Sequence, residues 1–270
     1  MKKIESIDEI HQLELQILIA FDAFCVDKNL HYSLGAGSLL GAVRHKGFIP
    51  WDDDIDLFML REEYEKLVKC AESDELVAGR YKIMSPFDSD MPYPFVKIID
   101  VKTKAVENKK DTDLGIWIDI FPVDFCGNTQ KEAERERKRL RIYADFLFSY
   151  FDNDKKNGVS AKLLLKRLAF FAVKKILCIK RDYFKNKIIQ RRQPVNPTEF
   201  AGTIVNSITK KDIYPSHFFT SGYEKLEFEG RLFPVFAYFK EILLWRYGDF
   251  MTLPKEEDRI SHLSEVYIDE

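Results

Sequence analysis

No two cysteines in this 270-residue chain are spaced as CxxC. Cys25, Cys70, Cys126 and Cys178 lie far apart, which argues against a zinc site or a disulfide framework and for reduced thiols. No uninterrupted apolar run is long enough to span a bilayer. The opening MKKIESIDEIHQLE lacks the apolar centre of a signal peptide. Together these absences predict a cytoplasmic protein, with the inner face of the membrane as the alternative site. Strong net charge is missing too: the chain carries -2 with a pI near 6.3, which gives no ground for a nucleic-acid partner. There is no internal repeat or low-complexity tract. Neither a Walker A loop nor a dinucleotide fingerprint is present, because the required glycine and lysine spacing is absent.

What is present is unevenly distributed. Residues 131–192 hold 19 Lys/Arg against 7 Asp/Glu, a basic block set against an acidic remainder. With 46% hydrophobic residues the chain can bury one large core or two small ones. Ile10, Leu13, Ile17, Phe21 and Phe24 predict a helix over residues 6–29, with Ser6 and Glu9 as a capping box. A strand over 31–34, a short helix through Val43 and a helix over 61–71 follow. Further strands are expected at 81–84, 95–101, 116–121, 203–205 and 223–228, and a last helix at 236–247. The basic block reads as helical, and Pro194-Val195-Asn196-Pro197 as a joint.

The densest chemistry lies between Leu34 and Met59, LGAGSLLGAVRHKGFIPWDDDIDLFM. Asp52, Asp54 and Asp56 share parity, so on a strand they would face one way, neighbours roughly 6.5–7 Å apart. Ile55, Leu57 and Met59 would face a core, and Asp53 would turn away with them. Carboxylates gathered on one face repel one another unless a cation joins them, and hard oxygen ligands suit Mg²⁺ or Mn²⁺. Gly115-Ile116-Trp117-Ile118-Asp119-Ile120-Phe121 repeats the design with one acid, Asp119, on a β-forming segment. Placed beside Asp54 and Asp56, it would complete a three-carboxylate metal site for phosphotransfer. Solvated strand acids are the ordinary alternative, although Trp51, Ile55 and Leu57 imply partial burial. Asp52, Asp54, Asp56 and Glu63 have EF-hand spacing, but Leu57 stands where that loop needs glycine. Gly35 and Gly37 permit close backbone approach, Ser38 opens a helix, and Arg44, His45 and Lys46 lie between that turn and the acids. The turn reads equally as structural or phosphate-binding; Arg44, His45 and Lys46 read as phosphate contacts from their position, with a solvated surface as the alternative.

The run from Gly37 through Asp56, GSLLGAVRHKGFIPWDDDID, closely resembles the signature of the LicD family of phosphotransferases. Pro94-Phe95-Val96-Lys97, Ile118-Asp119-Ile120-Phe121-Pro122-Val123-Asp124, and Tyr247-Gly248-Asp249-Phe250-Met251-Thr252-Leu253-Pro254 with His262 behind it extend the resemblance over roughly residues 24–262. Ala36-Gly37-Ser38 stands where many members have Gly-Gly-Thr; a hydroxyl is kept. The resemblance implies an α+β fold, a nucleotidyltransferase-like mixed sheet flanked by helices, with a basic helical insertion. It relates that fold to polymerase beta-type enzymes and to fukutin-related ribitol-phosphate transferases. Expected units are a catalytic core with its N-terminal helix at 1–128, the insertion at 129–193, and a completing part at 194–270. The resemblance also implies Mg²⁺-dependent transfer of a phospho-alcohol, most often phosphocholine from CDP-choline. The acceptor would be a sugar hydroxyl of a surface polysaccharide, teichoic acid or lipid-linked precursor.

In that scheme Asp54, Asp56 and Asp119 hold the metal and Asp119 receives or orients the attacking hydroxyl. Gly37, Ser38, Arg44, His45, Lys46, Lys97 and His262 bind substrate, and Asp52 supports the ligands. A nucleotidyltransferase that releases pyrophosphate, a DxD glycosyltransferase and a non-catalytic binding protein are the rivals. Apolar residues from Leu163 to Ile179 interleaved with Lys162, Lys166, Arg167, Lys174, Lys175 and Lys180 suggest either a helix packed on the body or one lying on an anionic membrane.

Overall fold

The computed structural model describes residues 1–71, 76, 79–107, 114–150, 180–191, 196–205, 207, 209–259 and 263–269, with isolated positions 170, 172, 175 and 178. The stretch 162–180 read as a membrane or packing helix, residues 194 and 195 of the proline joint, and His262 lie outside these, apart from those isolated positions and Lys180.

In chain order the elements are β1 (Lys2–Ile4), α1 (Ile7–Lys28), β2 (Ser33–Leu34), α2 (Ala36–His45), β3 (Asp56–Leu60), α3 (Arg61–Cys70), β4 (Tyr81–Met84), β5 (Val96–Asp100), β6 (Thr103–Glu107) and β7 (Trp117–Gly127). After them come α4 (Gln130–Phe148), α5 (Arg181–Ile189), β8 (Phe200–Gly202), β9 (Ile213–Pro215), α6 (His217–Thr220), β10 (Tyr223–Phe228), β11 (Arg231–Phe236), α7 (Phe239–Tyr247) and β12 (Leu263–Ile268). The architecture is α+β. The main sheet runs β2-β3-β7-β5-β4, with β8 joined to the far half of β7 and β9 beside β8. Among the described strands of this sheet, only β3 and β7 pair in parallel. α1 lies against β5 and β7, and α3 against β3 and β7, so the central strands are covered and read as apolar runs. A three-stranded sheet β1-β12-β6 ties the two ends of the chain together. One cluster of buried side chains draws on residues from Ile4 to Val266.

Local chemistry explains the boundaries. Ser6 Oγ accepts from Asp8 N at 3.2 Å to cap α1, and Asn29 closes it in the left-handed region at φ 52°. α4 begins with a capping box between Thr129 and Glu132. It packs on α5, and Ala144, Leu147, Phe184, Ile188 and Val205 form a satellite core there. A buried ion network fastens this unit to the sheet. Arg61 donates twice to Asp124, at 2.7 and 2.8 Å, and Arg191 lies 3.4 Å from Asp124 and 3.0 Å from Glu136. Among the described residues no helix is long and apolar enough to cross a membrane.

Several expectations are corrected. Asp52 and Asp54 precede the strand, which begins at Asp56, where β7 starts to offer a partner. The Thr203–Val205 strand is instead Phe200–Gly202, followed by a turn. The helix expected from Phe236 starts at Phe239, because Arg231–Phe236 pairs with Tyr223–Phe228 as a hairpin.

Candidate active site

Strand register builds the centre of the site. The parallel β3–β7 ladder sets Asp56 opposite Asp119, and the antiparallel β5–β7 ladder sets Lys97 opposite Asp119 from the other side. Directly opposed residues share a face, so Asp56, Asp119 and Lys97 form one row across three strands. Phe58 and Phe121 make the next row, their rings edge to face at 6.3 Å. Asp119 N donates to Ile55 O at 2.8 Å, which extends the ladder one step toward Asp54.

This row floors a cavity of about 570 Å³, within the roughly 300–1,000 Å³ usual for ligand pockets. Asp52, Asp54, Asp56 and Asp119 line it together with Ala36, Gly37 and Lys97. Phe58, Tyr93, Phe95, Trp117, Phe121, Phe148 and Tyr247 supply aromatic surface. The Lys97 ammonium, 2% exposed, donates to Asp119 Oδ1 at 2.5 Å and lies 4.0 Å from the Trp117 ring centre and 4.4 Å from that of Tyr93. The box of rings and a carboxylate thus already holds a cation supplied by the chain.

The glycine-serine turn acts through the backbone. Gly35 N donates to Asp56 O and Ser38 Oγ accepts from Asp56 N, both at 2.8 Å, which pins the start of β3 at the N-terminal end of α2. At Gly37 a Cβ would come within 2.5 Å of Asp52 Oδ2, so glycine is what lets that carboxylate lie against the helix. Gly37→Ala is expected to push Asp52 aside and lower kcat/KM on the order of 10²-fold with little change in Tm. Steady-state kinetics beside a thermal melt checks both parts.

Arg44, His45 and Lys46 do not line the cavity. Arg44 donates to His45 Nε2 at 2.9 Å and to Phe250 O at 3.1 Å, and Lys46 lies 3.5 Å from Glu227. Burial, then the Arg44 charge, pushes the His45 imidazole below its ordinary pKa, which keeps Nε2 able to accept. Asp53 turns into the core, 3% exposed, and accepts from Leu263 N at 2.8 Å, fastening β12 behind the site.

Residues not anticipated from the sequence are Glu14, Arg141, Asp212 and Arg246. Glu14 interrupts the apolar stripe of α1 and is 1% exposed, and its Oε2 has no hydrogen-bond partner among the described residues. Burial, then the charges of Asp54, Asp53, Asp52 and Asp119, raises its pKa well above the ordinary value of 4.5. Between those two values the unfolded chain is ionised at this position and the folded chain is protonated, so stability falls as pH rises above about 4.5. Glu14→Gln removes that penalty. In EDTA its Tm is expected to exceed that of wild type at alkaline pH, with the gain shrinking as pH falls toward the ordinary carboxylate range; parallel melts across pH check this. The oxygen donors facing the cavity are of the type that holds Mg²⁺ or Mn²⁺. Among the described residues, however, no three or more His, Cys, Asp or Glu side chains stand together in a metal-holding group.

Comparison with known proteins adds the lineage. The family model described as LicD/FKTN/FKRP, nucleotidyltransferase domain, matches residues 29–152. The lipopolysaccharide cholinephosphotransferase LicD of Haemophilus influenzae is 33% identical over 279 residues, covering 99% of this chain and 100% of that protein. Uncharacterized proteins RP689 of Rickettsia prowazekii and RT0683 of Rickettsia typhi share 51% identity over 35 residues, 13% of this chain and 13% and 11% of theirs. The chain belongs to the LicD family of phosphotransferases.

Proposed function

We propose that the protein transfers phosphocholine from CDP-choline to a sugar hydroxyl of a cell-surface glycan or its lipid-linked precursor. The observation that carries this reading is one cavity in which Asp56 and Asp119 stand side by side under a wall of aromatic rings. The rings that Lys97 does not fill, such as Phe148 and Tyr247, suit a quaternary ammonium, and carboxylates with a divalent cation suit a diphosphate. The name of the Haemophilus relative, a lipopolysaccharide cholinephosphotransferase, supports the same cargo and a glycan acceptor. Teichoic acid and lipid-linked precursors remain acceptors of the same chemistry.

In this proposal Asp54, Asp56 and Asp119 hold Mg²⁺ or Mn²⁺. The hard oxygens fit such a cation by type, with Asp56 and Asp119 opposite each other on neighbouring strands and Asp54 reaching the cavity from the loop before β3. When bound, the cation offsets the charge of the donor diphosphate. The acceptor oxygen forms a bond to the phosphorus that carries choline, the bond from that phosphorus to the CMP oxygen breaks, and CMP departs. Asp119 orients the attacking hydroxyl and takes its proton, while Lys97 holds the Asp119 carboxylate in place from the adjacent strand. The bonding of Ser38 and Arg44 favours positioning over direct phosphate contact for both. Domain limits at 128 and 193 are proposed with it, the insertion contributing α4 and α5.

The test is a panel of CDP-choline, CDP-ethanolamine and CDP-glycerol with Mg²⁺ and glycan acceptors, with CMP release measured. CMP release with CDP-choline, dependent on acceptor and metal, supports the reading; preference for CDP-glycerol replaces the cargo.

A further inference from the structure

The cavity has two chemically different walls. Asp52, Asp54, Asp56 and Asp119 make one; Arg141 of α4 and Arg246 of α7 reach the other, with Asp212 beside Arg246. Both arginines are aimed by a single turn. Ser207 Oγ donates to Asp212 Oδ2 at 2.8 Å, Thr209 N donates to the same oxygen at 2.9 Å, and Asp212 pairs with the Arg246 guanidinium. Ser207 O accepts from Arg141 Nη1 at 3.5 Å, and Asp145 lies 2.9 Å from Arg141 Nε. Asp212 is 3% exposed and fixed by the Thr209–Asp212 capping box, so it holds the guanidinium like a bracket. One edge of Arg246 is thereby taken, yet its buried Nε has no hydrogen-bond partner among the described residues. The Arg246 side chain is nonetheless 30% exposed and that of Arg141 37%, both on the cavity lining, so an anionic oxygen can meet either guanidinium there.

We propose that Arg141 and Arg246 form an anion subsite that binds the nucleotide phosphate of the donor and stays with it as CMP departs. The assignment rests on the phosphocholine-transfer reading for the ligand's identity, and on the turn and the two cavity-lining guanidinium groups for the site itself. Charge decides the orientation. The rings suit the ammonium end, the acids with their cation suit the reacting phosphorus, and the phosphate that gains charge as its bond breaks is drawn to the arginines. Arg is suited to this role, since its planar fork meets two phosphate oxygens at once.

Calorimetric titration of CMP and of cytidine into wild type, Arg141→Gln, Arg246→Gln and Arg246→Lys tests it. Each Gln variant is expected to weaken CMP by roughly 10- to 100-fold and to leave cytidine unchanged, with Arg246→Lys between. Arg246→Gln strips the buried Asp212 of its cation, so Arg246→Lys and Arg141→Gln carry the test if that variant fails to fold. Unchanged CMP affinity, or equal weakening of CMP and cytidine, overturns the subsite and leaves the transfer reading standing. If phosphocholine, titrated alongside, binds wild type through these arginines and CMP does not, the nucleotide-phosphate subsite and the CDP donor both fall. If wild type binds neither, both fall as well.

Discussion

Replacing Asp56 by Asn is expected to lower the transfer rate by at least about 10²- to 10³-fold, with an unfolding midpoint close to wild type. The fold does not depend on this carboxylate. Its position is set by the backbone, through Ser38 Oγ at Asp56 N and Gly35 N at Asp56 O. Asn keeps those bonds and nearly the same volume. What it removes is one charged oxygen from the row shared with Asp119, in a cavity where Lys97 already offsets part of the charge. A uniform loss in kcat and kcat/KM would mark an interaction made in the transition state, whereas a rise in KM alone would mark donor binding. Wild-type turnover by the Asn variant would remove Asp56 from the chemistry.

Asp124→Ala is expected to have the largest effect on stability, about 3–5 kcal/mol by urea denaturation. Asp124 is fully buried and takes both forks of Arg61, and Arg191 lies against it with a side chain 2% exposed. The charges are costly to bury but compensate one another, and removing the anion leaves two guanidinium groups in the interior with their partner gone. Glu136 retains Arg191 in part, which places the expected loss toward the lower end of that range. Asp124 sits on the far half of β7 and Arg191 just beyond α5, so the loss should loosen α4 and α5 from the sheet. Protection of α4 amides in hydrogen exchange should fall before that of β3. Equal stability of variant and wild type would show the network to be dispensable.

Much of the site was legible because it obeys the two-residue period of strands. Acids alternating with Ile, Leu and Met at 54–59 and 116–121 placed Asp56 and Asp119 on half-polar strands, and register then set them side by side. Asp54 also reaches the cavity, but from the loop before β3, where parity does not govern it. β7 runs to Gly127, well past the expected end at Phe121. Pro122 falls between the last β5 pairing at Ile120 and the first β8 pairing at Asp124, where a missing N–H costs nothing. Pro234 is tolerated in β11 in the same way, since that strand pairs on one side only. β1, β6 and β12 are short, and their pairing joins residues more than a hundred positions apart, which no local pattern encodes. Arg141 and Arg246 carry no signal at all in their own neighbourhoods; a turn elsewhere in the chain brings them to one wall. Glu14 did carry one, a charged residue in an apolar helical stripe, and it marks the floor of the acidic cluster.

The central claim is that an acceptor hydroxyl attacks the choline-bearing phosphorus and CMP leaves. Mass spectrometry of a defined glycan after incubation with the protein, Mg²⁺ and CDP-choline tests it most directly. A glycan heavier by one phosphocholine and an equal amount of CMP are expected, both formed at least about 10²-fold more slowly with Asp56→Asn. A glycan carrying a nucleotide, with pyrophosphate formed from a nucleoside triphosphate and no phosphocholine adduct, would contradict it.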